Sequence, residues 1–249
     1  MKVRLDHLLV QRGLVATRSQ AESYIRLGKV TVADKIITKP GYFVDPTAAI
    51  ELLQDEQYVS RAGLKLASVA ELLHLDFRDK VVLDVGSSTG GFTDYALRRG
   101  AAKVIAVDVG TDQLHPSLRD NPQVELYEKT DIRDVSLSPG SPVQINETPE
   151  IVVIDVSFIS LRDILPHIAK QLSDRHTQIV AMVKPQFETG SRLKNAGVIK
   201  NNTDRRHILQ DFELWSRQYF VIRAKADSDV AGTHGNRERF YVLETTKRV

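Results

Sequence analysis

Residues 82–92 read VLDVGSSTGGF. The preceding Lys80–Val81 extends this into a β-branched run, and residues 91–99 continue with amphipathic spacing. A short β-branched run, a glycine-rich turn and a helix-period stretch make a strand, a loop and a helix. Glycines in such a loop let the backbone turn sharply and approach a ligand closely. The loop lacks the Lys-Ser/Thr of a phosphate-binding loop, and its Gly86-x-x-x-Gly90-Gly91 spacing departs from the dinucleotide fingerprint. Asp84 stands just before it.

Four more short runs follow or flank this unit: KVIAVDVG, VELYE, EIVVIDVS and QIVAMVK. Amphipathic stretches near 91–99, 161–172 and 203–218 separate most of them, so a parallel sheet covered by helices is expected. FVIRAKADSDV and RERFYVLETTK then read as two successive strands, an antiparallel pair at the C-terminal edge of the sheet. That pair distinguishes a methyltransferase fold from a dinucleotide-binding one. The fold class is α/β: a Rossmann-like, mostly parallel seven-stranded sheet with an antiparallel C-terminal hairpin. Carboxylates end successive strands, Asp84, Asp108 and Asp131, spaced 24 and 23 residues apart. An acid at the end of the second strand typically accepts hydrogen bonds from ribose hydroxyls, and Asp131 stands where adenine would sit. S-adenosylmethionine fits such a crevice, having no phosphate, a zwitterionic amino-acid end and a cationic sulfur. The candidate cofactor residues are Asp84, Gly86, Ser87, Gly90, Phe92, Asp108, Asp131 and Asp155.

The rest of the chain narrows the class. It has 249 residues, 42% hydrophobic and 27% charged, enough for one mid-sized domain plus a small one. It contains no cysteine, which removes disulfides, thiolate metal sites, iron–sulfur clusters and cysteine nucleophiles. No metal site is expected. No apolar run approaches the ~18 residues of a membrane span, and the opening MKVRLDHLLVQRG is too charged for a signal peptide. A soluble, cytoplasmic protein with no membrane partner is expected. The net charge is only +2, yet residues 1–40 hold eight basic and three acidic side chains. A basic end of this kind points to an anionic partner, nucleic acid being the commonest.

Within that end, Leu5, Leu8 and Leu9 mark a short helix closed by Gly13. Thr17 and Gln20 form a capping-box pattern opening a second helix to about Leu27, with Ala21, Tyr24 and Ile25 buried. KVTVADKI reads as one strand and AAIELL as another, with a turn at Lys39–Gly41 between them. The expected division is residues 1–58 and 59–249. RLDHLLVQRGLVATRSQAESYIRLGKVTV followed by Lys39–Pro40 resembles the S-four RNA-binding domain, an α+β module. The resemblance implies phosphate contacts by Arg4, Arg18, Arg26 and Lys29. Arg61 and, in the loop TGSRLKNAGVIKNN, Arg192 are further candidate RNA contacts. That loop is expected to close over the target nucleotide.

SRAGLKLASVAELL reads as a helix capped by Ser60 and carrying Lys65. EIVVIDVSFIS puts Asp155 at a strand end, QIVAMVKPQFE puts Lys184 at the next with Glu188 within reach, and GNRERF puts Glu238 before the last strand. Lys65, Asp155, Lys184 and Glu238 match the Lys–Asp–Lys–Glu tetrad of the FtsJ-like ribose 2′-O-methyltransferases, and the resemblance makes them the catalytic set. A ribose hydroxyl must lose its proton as the methyl arrives. A lysine takes that proton only in its neutral form, which burial and a second nearby cation favour. The strings YVSRAGLKL, LDVGSSTGGFTD, VDVG, IDVSFISL, VKPQFE and GNRE, in that order, resemble the TlyA (hemolysin A) family of ribosomal RNA methyltransferases over essentially the full length. The resemblance implies S-adenosylmethionine-dependent 2′-O-methylation of a cytidine in ribosomal RNA, and the shorter, large-subunit-specific type. The partner would be ribosomal RNA or a ribosomal subunit. Two other readings stand beside it: an RNA- or ribosome-binding protein with a silent methyltransferase fold, and a membrane-lysing hemolysin.

Overall fold

The computed structural model describes residues 2–15, 17–26, 28–53, 58–189, 199, 201–230, 232 and 235–246. Arg192 and most of the expected closing loop lie outside the described residues.

The chain opens with β1 (Val3–Arg4), α1 (Leu5–Gln11) and α2 (Arg18–Arg26), then β2 (Val30–Val32), β3 (Lys35–Ile36), β4 (Phe43–Val44) and β5 (Ile50–Leu52). Leu5, Leu8 and Leu9 of α1 meet Ala21, Tyr24 and Ile25 of α2 in a buried core. The Thr17 hydroxyl accepts the Gln20 N–H at 3.2 Å, the first half of the capping box. Gln20 Nε2 donates to the Tyr58 carbonyl at 3.4 Å, tying α2 to the chain that enters the larger unit. KVTVADKI is not one strand. Ala33 and Asp34 both have positive φ, 47° and 62°, and β2 turns back onto β3 with Val32 opposite Lys35. A two-residue turn of that hand matches the twist of the flanking strands.

The larger unit follows with α3 (Arg61–Ala70), β6 (Val81–Val85), α4 (Gly91–Arg98), β7 (Lys103–Val107), α5 (Pro116–Arg119), β8 (Val124–Tyr127), β9 (Val135–Ser136), β10 (Val143–Gln144) and β11 (Ile151–Ile154). It ends with α6 (Leu165–Gln171), β12 (Gln178–Val183), α7 (Asn202–Ser216), β13 (Phe220–Asp227) and β14 (Arg239–Thr245). The seven-stranded sheet runs β13-β14-β12-β11-β6-β7-β8. β12, β11, β6, β7 and β8 are parallel, and β14 is antiparallel to both its neighbours. The central strands are apolar on both faces, as a doubly covered parallel sheet requires. Val82, Val153 and Val180 face one core, which continues through α3 and α4 into the leucines of α1; Leu83, Val152 and Ile179 face the other, under α6 and α7. The small N-terminal unit therefore shares its core with one face of the large sheet. Among the described residues, no helix is long and apolar enough to cross a membrane.

Candidate active site

The parallel strands end along one edge, and the chemistry-bearing residues collect there. Gly86 leaves β6 at φ +83°, and a Cβ there would come within 2.8 Å of the Asp155 carbonyl. A side chain at this position would force apart the ends of β6 and β11. Gly90 also has positive φ, +92°, at the N-terminus of α4, and a side chain would meet Leu114 Cδ1 at 2.8 Å. Its role is to let this turn pack beneath the residues around α5.

Two adjoining cavities open at this edge. The larger, about 350 Å³, is lined by the apolar Val107, Ile132 and Ile164, with Asp108 and Asp131 among its polar groups. The smaller, about 140 Å³, is lined by Ser60, Asp84, Ser87, Phe92, Asp155 and Lys184. Gly86, Ser88, Asp155 and Ser157 border both. Asp108 Oδ2 accepts the Ser88 N–H at 2.8 Å and Oδ1 the Gly110 N–H at 2.7 Å, so it fixes the glycine loop while facing the larger cavity. Asp131 is held by Arg133, Nη2 to Oδ2 at 2.6 Å, and this pairing keeps its carboxyl below the ordinary range. Phe92 borders the smaller cavity, but it is buried and packs on Phe240 with ring centroids 6.0 Å apart.

Four buried oxygens of the smaller cavity make no hydrogen bond: Asp84 Oδ1, Ser87 Oγ, Ser60 Oγ and Asp155 Oδ1, the last meeting Lys184 Nζ as an ion pair. Buried polar atoms are costly when unpaired, so such a set marks a place built for a polar ligand. The other Asp84 oxygen accepts the Thr93 hydroxyl at 2.6 Å. Burial pushes this carboxyl up to about 7, with Asp155 adding to the rise and the Thr93 bond opposing it. Ser60 holds the N-cap position of α3, yet its side chain makes no capping bond, so the expected cap is absent and its hydroxyl is left to the cavity.

The four tetrad residues form two ion pairs. Lys184 Nζ lies 2.6 Å from Asp155 Oδ1 and donates to Ser157 Oγ at 2.7 Å. Lys65 Nζ lies 2.5 Å from Glu238 Oε2, both side chains nearly inaccessible. The antiparallel register pairs Val183 with Arg239, so Lys184 and Glu238 leave neighbouring strands at the same level. Asp155 and Lys184 border the smaller cavity; Lys65 and Glu238 form the buried pair behind it. Glu188 is not a partner of Lys184: its carboxylate accepts from the Ser160 hydroxyl at 2.6 Å and the Leu161 N–H at 2.8 Å, closing the turn before α6.

Two residues beside this set escaped the sequence reading. Ser157 is bonded to Lys184, and Phe158 is 92% exposed with φ +66°. A bulky residue held in left-handed backbone costs on the order of 1–3 kcal/mol. Phe158 borders the larger cavity and leans on Phe187, centroids 5.3 Å apart. The available signal was the string Asp155-Val156-Ser157-Phe158 itself.

On the N-terminal unit, Arg26 and Lys29 are exposed; on the larger unit, Arg61 is partly exposed at the head of α3. Arg4 and Arg18 are not independent charges. Arg4 Nη2 and Arg18 Nε approach Asp6 Oδ2 at 2.8 and 2.9 Å, and Asp6 is fully buried. Burial pushes the Asp6 carboxyl up, but the two guanidiniums outweigh it and hold it at about 2. Among the described residues no group of three or more His, Asp or Glu is arranged to hold a metal ion.

A glycine loop, strand-end carboxylates and a closing antiparallel strand pair define an α/β methyltransferase fold carrying a small N-terminal module. The chain belongs to the FtsJ-like methyltransferase family, whose model matches residues 58–245, and an S4 domain matches residues 3–50. It is 35% identical over 257 residues to the 16S/23S rRNA (cytidine-2′-O)-methyltransferase TlyA of Mycobacterium tuberculosis, covering 98% of this chain and 90% of the relative. Hemolysin A of Brachyspira hyodysenteriae is 36% identical over 210 residues, 84% of this chain and 85% of its own. A solved structure from Streptococcus thermophilus matches with a TM-score of 0.70 and 37% identity, covering 99% of this chain and 89% of that one.

Proposed function

We propose that this protein transfers a methyl group from S-adenosylmethionine to the 2′-hydroxyl of a cytidine in ribosomal RNA, in the cytoplasm. The observation that carries the reading is the placement of Lys184, paired with Asp155 and Ser157, on the wall of a cavity with unpaired buried oxygens. The two cavities fit the two ends of the cofactor. Asp84, Ser60 and Ser87 would meet its amino-acid end, while Val107, Ile132 and Ile164, with Asp108 and Asp131, would meet its adenosine. When bound, the cofactor supplies an electrophilic methyl on a cationic sulfur.

The protein's own groups do the rest. Lys184 Nζ, which donates to Ser157 Oγ and lies 2.6 Å from Asp155 Oδ1, is the group that would take the ribose proton, acting in its neutral form, as the oxygen–carbon bond forms. The buried Lys65–Glu238 pair adds a second cation behind the site and balances it with a carboxylate. The exposed ring of Phe158 offers a flat apolar surface to a base withdrawn from its stack. Arg26, Lys29, Arg61, Arg192, and the Asp6-oriented Arg4 and Arg18, are the proposed RNA contacts. We place the boundary between the RNA-docking and catalytic domains at residues 58 and 59. The names of the relatives support the ribosomal substrate. The hemolysin reading is supported by names alone, those of one relative and of two similar solved structures.

Incubation with methyl-labelled S-adenosylmethionine and separated ribosomal subunits, followed by mapping of the label, tests this. One or a few 2′-O-methylcytidines are expected, and Lys184→Ala should keep RNA affinity while losing transfer. No label in either subunit would overturn the reading.

A further inference from the structure

A third cavity, about 400 Å³, lies between α7 and the β13–β14 pair, on the sheet face opposite α3 and α4. Arg205, Arg206, Lys225, Arg237 and Arg239 line it. Two carboxylates answer these five cations. Glu213 pairs with Lys225 at 2.7 Å. Asp227 takes Arg205 and Arg239 at 2.7 and 2.6 Å and lies 3.7 Å from Arg237. The surplus is three positive charges in one concavity. Arg206, Lys225 and Arg237 are its exposed cations, and Arg206 has no ion-pair partner among the described residues.

The cavity stands at the catalytic edge. β13 ends there at Asp227 and β14 begins there at Arg239, and α7 starts there, with Arg205 Nε donating to the Arg237 carbonyl at 3.0 Å. Glu238 lies between two of the arginines in sequence and turns the other way, to Lys65. Lys184 ends β12, the strand beside β14 at roughly 5 Å backbone spacing, and its side chain serves the cavity on the α3–α4 side of the same edge. A polynucleotide presenting one ribose at Lys184 would carry its neighbouring phosphates past this mouth.

We propose that this cavity binds a backbone phosphate of the RNA, flanking the methylated nucleotide. The inference rests on the reading of the protein as an RNA methyltransferase. The chemistry is that of guanidinium recognition: Arg239 and Arg205 are pre-oriented by Asp227, and Arg206 and Arg237 at the rim supply forked donors to phosphate oxygens. Phosphate contacts position a nucleic acid without reading its sequence. The site would therefore set how the strand enters the active site, not which base is chosen.

The test uses the full chain with S-adenosylhomocysteine added, and separated ribosomal subunits as the probe. Arg206→Glu, Arg237→Glu and the double variant are compared with Arg175→Glu, an exposed arginine at the opposite edge of the sheet. Affinity is measured from low to moderate salt, alongside KM and kcat for methylation. The double variant is expected to bind roughly tenfold or more weakly, and its salt slope should fall by about 0.7–0.9 for each phosphate it no longer neutralises. KM should rise by a larger factor than kcat falls, and Arg175→Glu should match the unaltered protein. Unchanged affinity and slope in the double variant, or an equal loss in Arg175→Glu, would overturn the proposal. If the unaltered protein binds RNA through this cavity yet methylates none, the functional reading fails while the site stands. If methylation proceeds and the double variant is indifferent, only the site fails.

Discussion

Replacing Asp84 with Asn tests the logic of the smaller cavity most directly. The carboxyl is 1% exposed, one oxygen accepts the Thr93 hydroxyl and the other has no partner. Burial raises it to about 7 from 3.8. Because the folded value lies above the unfolded one, the unfolded chain gives up this proton first as pH rises. The contribution to stability is therefore lost progressively between pH 3.8 and about 7. At about 1.36 kcal/mol per unit, the cost above pH 7 reaches on the order of 4 kcal/mol. Asp84→Asn keeps an acceptor for Thr93 and removes the charge. It should leave the unliganded protein more stable than the parent at pH 8, and equal or slightly less stable at pH 4. Ligand binding reads the same group from the other side. A cationic amine or sulfonium within reach lowers a carboxyl by about 1–3 units. A shift from about 7 to about 5 releases about 0.8 proton at pH 6, about 0.5 at pH 7 and about 0.1 at pH 8. Calorimetric titration with S-adenosylmethionine in buffers of different ionisation enthalpy measures this release, and the difference from Asp84→Asn isolates the residue. Identical proton release in both proteins, with identical stability at pH 8, would refute the reasoning.

Other outcomes follow from the same geometry. Phe158→Gly should relieve the left-handed backbone and raise stability by about 1 kcal/mol, while raising KM for RNA; thermal melts and steady-state kinetics check the two opposed effects. Lys65→Met leaves the buried Glu238 carboxylate without its cation and should cost about 3–5 kcal/mol. Adding Glu238→Gln to it should restore most of that stability in denaturant titrations without restoring activity. Asp6→Asn should lose roughly 2–3 kcal/mol at pH 7, since the parent's carboxyl sits at about 2 rather than 3.8. That stability is present above pH 4 and lost as pH falls through about 2, so the two acid-unfolding curves should converge at the acid end.

What the sequence disclosed was whatever depends on local period. The β-branched runs around Asp84, Asp108 and Asp155 announce strands and place an acid at or beside the C-terminal end of each, because a parallel sheet buried on both faces leaves little freedom in composition; Asp131 instead stands four residues past β8, opening the turn at Ile132–Asp134. Tertiary partnership was hidden. A charge count treats Arg4 and Arg18 like Arg26, yet both are drawn to Asp6, which a leucine-rich helix buries. Glu188 is four residues from Lys184 and faces elsewhere, because the short helical turn at Pro185–Phe187 rotates it onto Ser160 and Leu161. The hairpin at Ala33–Asp34 uses two non-glycine residues at positive φ, so the usual turn signal was missing. The basic cavity gathers residues from 205 to 239, joined only when α7 folds back over β13 and β14.

The tripeptide Arg237–Glu238–Arg239 divides its side chains between two faces of one sheet, the carboxylate to Lys65 and the guanidiniums to Asp227. This ties the length of the junction into β14 to parity. Deleting Arg239, with the β12–β14 pairing kept, would turn Arg237 toward Lys65 and Glu238 toward the arginines, and inserting one residue between Glu238 and Arg239 would likewise take the acid away from Lys65. Two residues could be gained or lost with the facing preserved. Related chains that remain active should therefore differ in length here by even numbers, or else carry a compensating bulge where the strand begins.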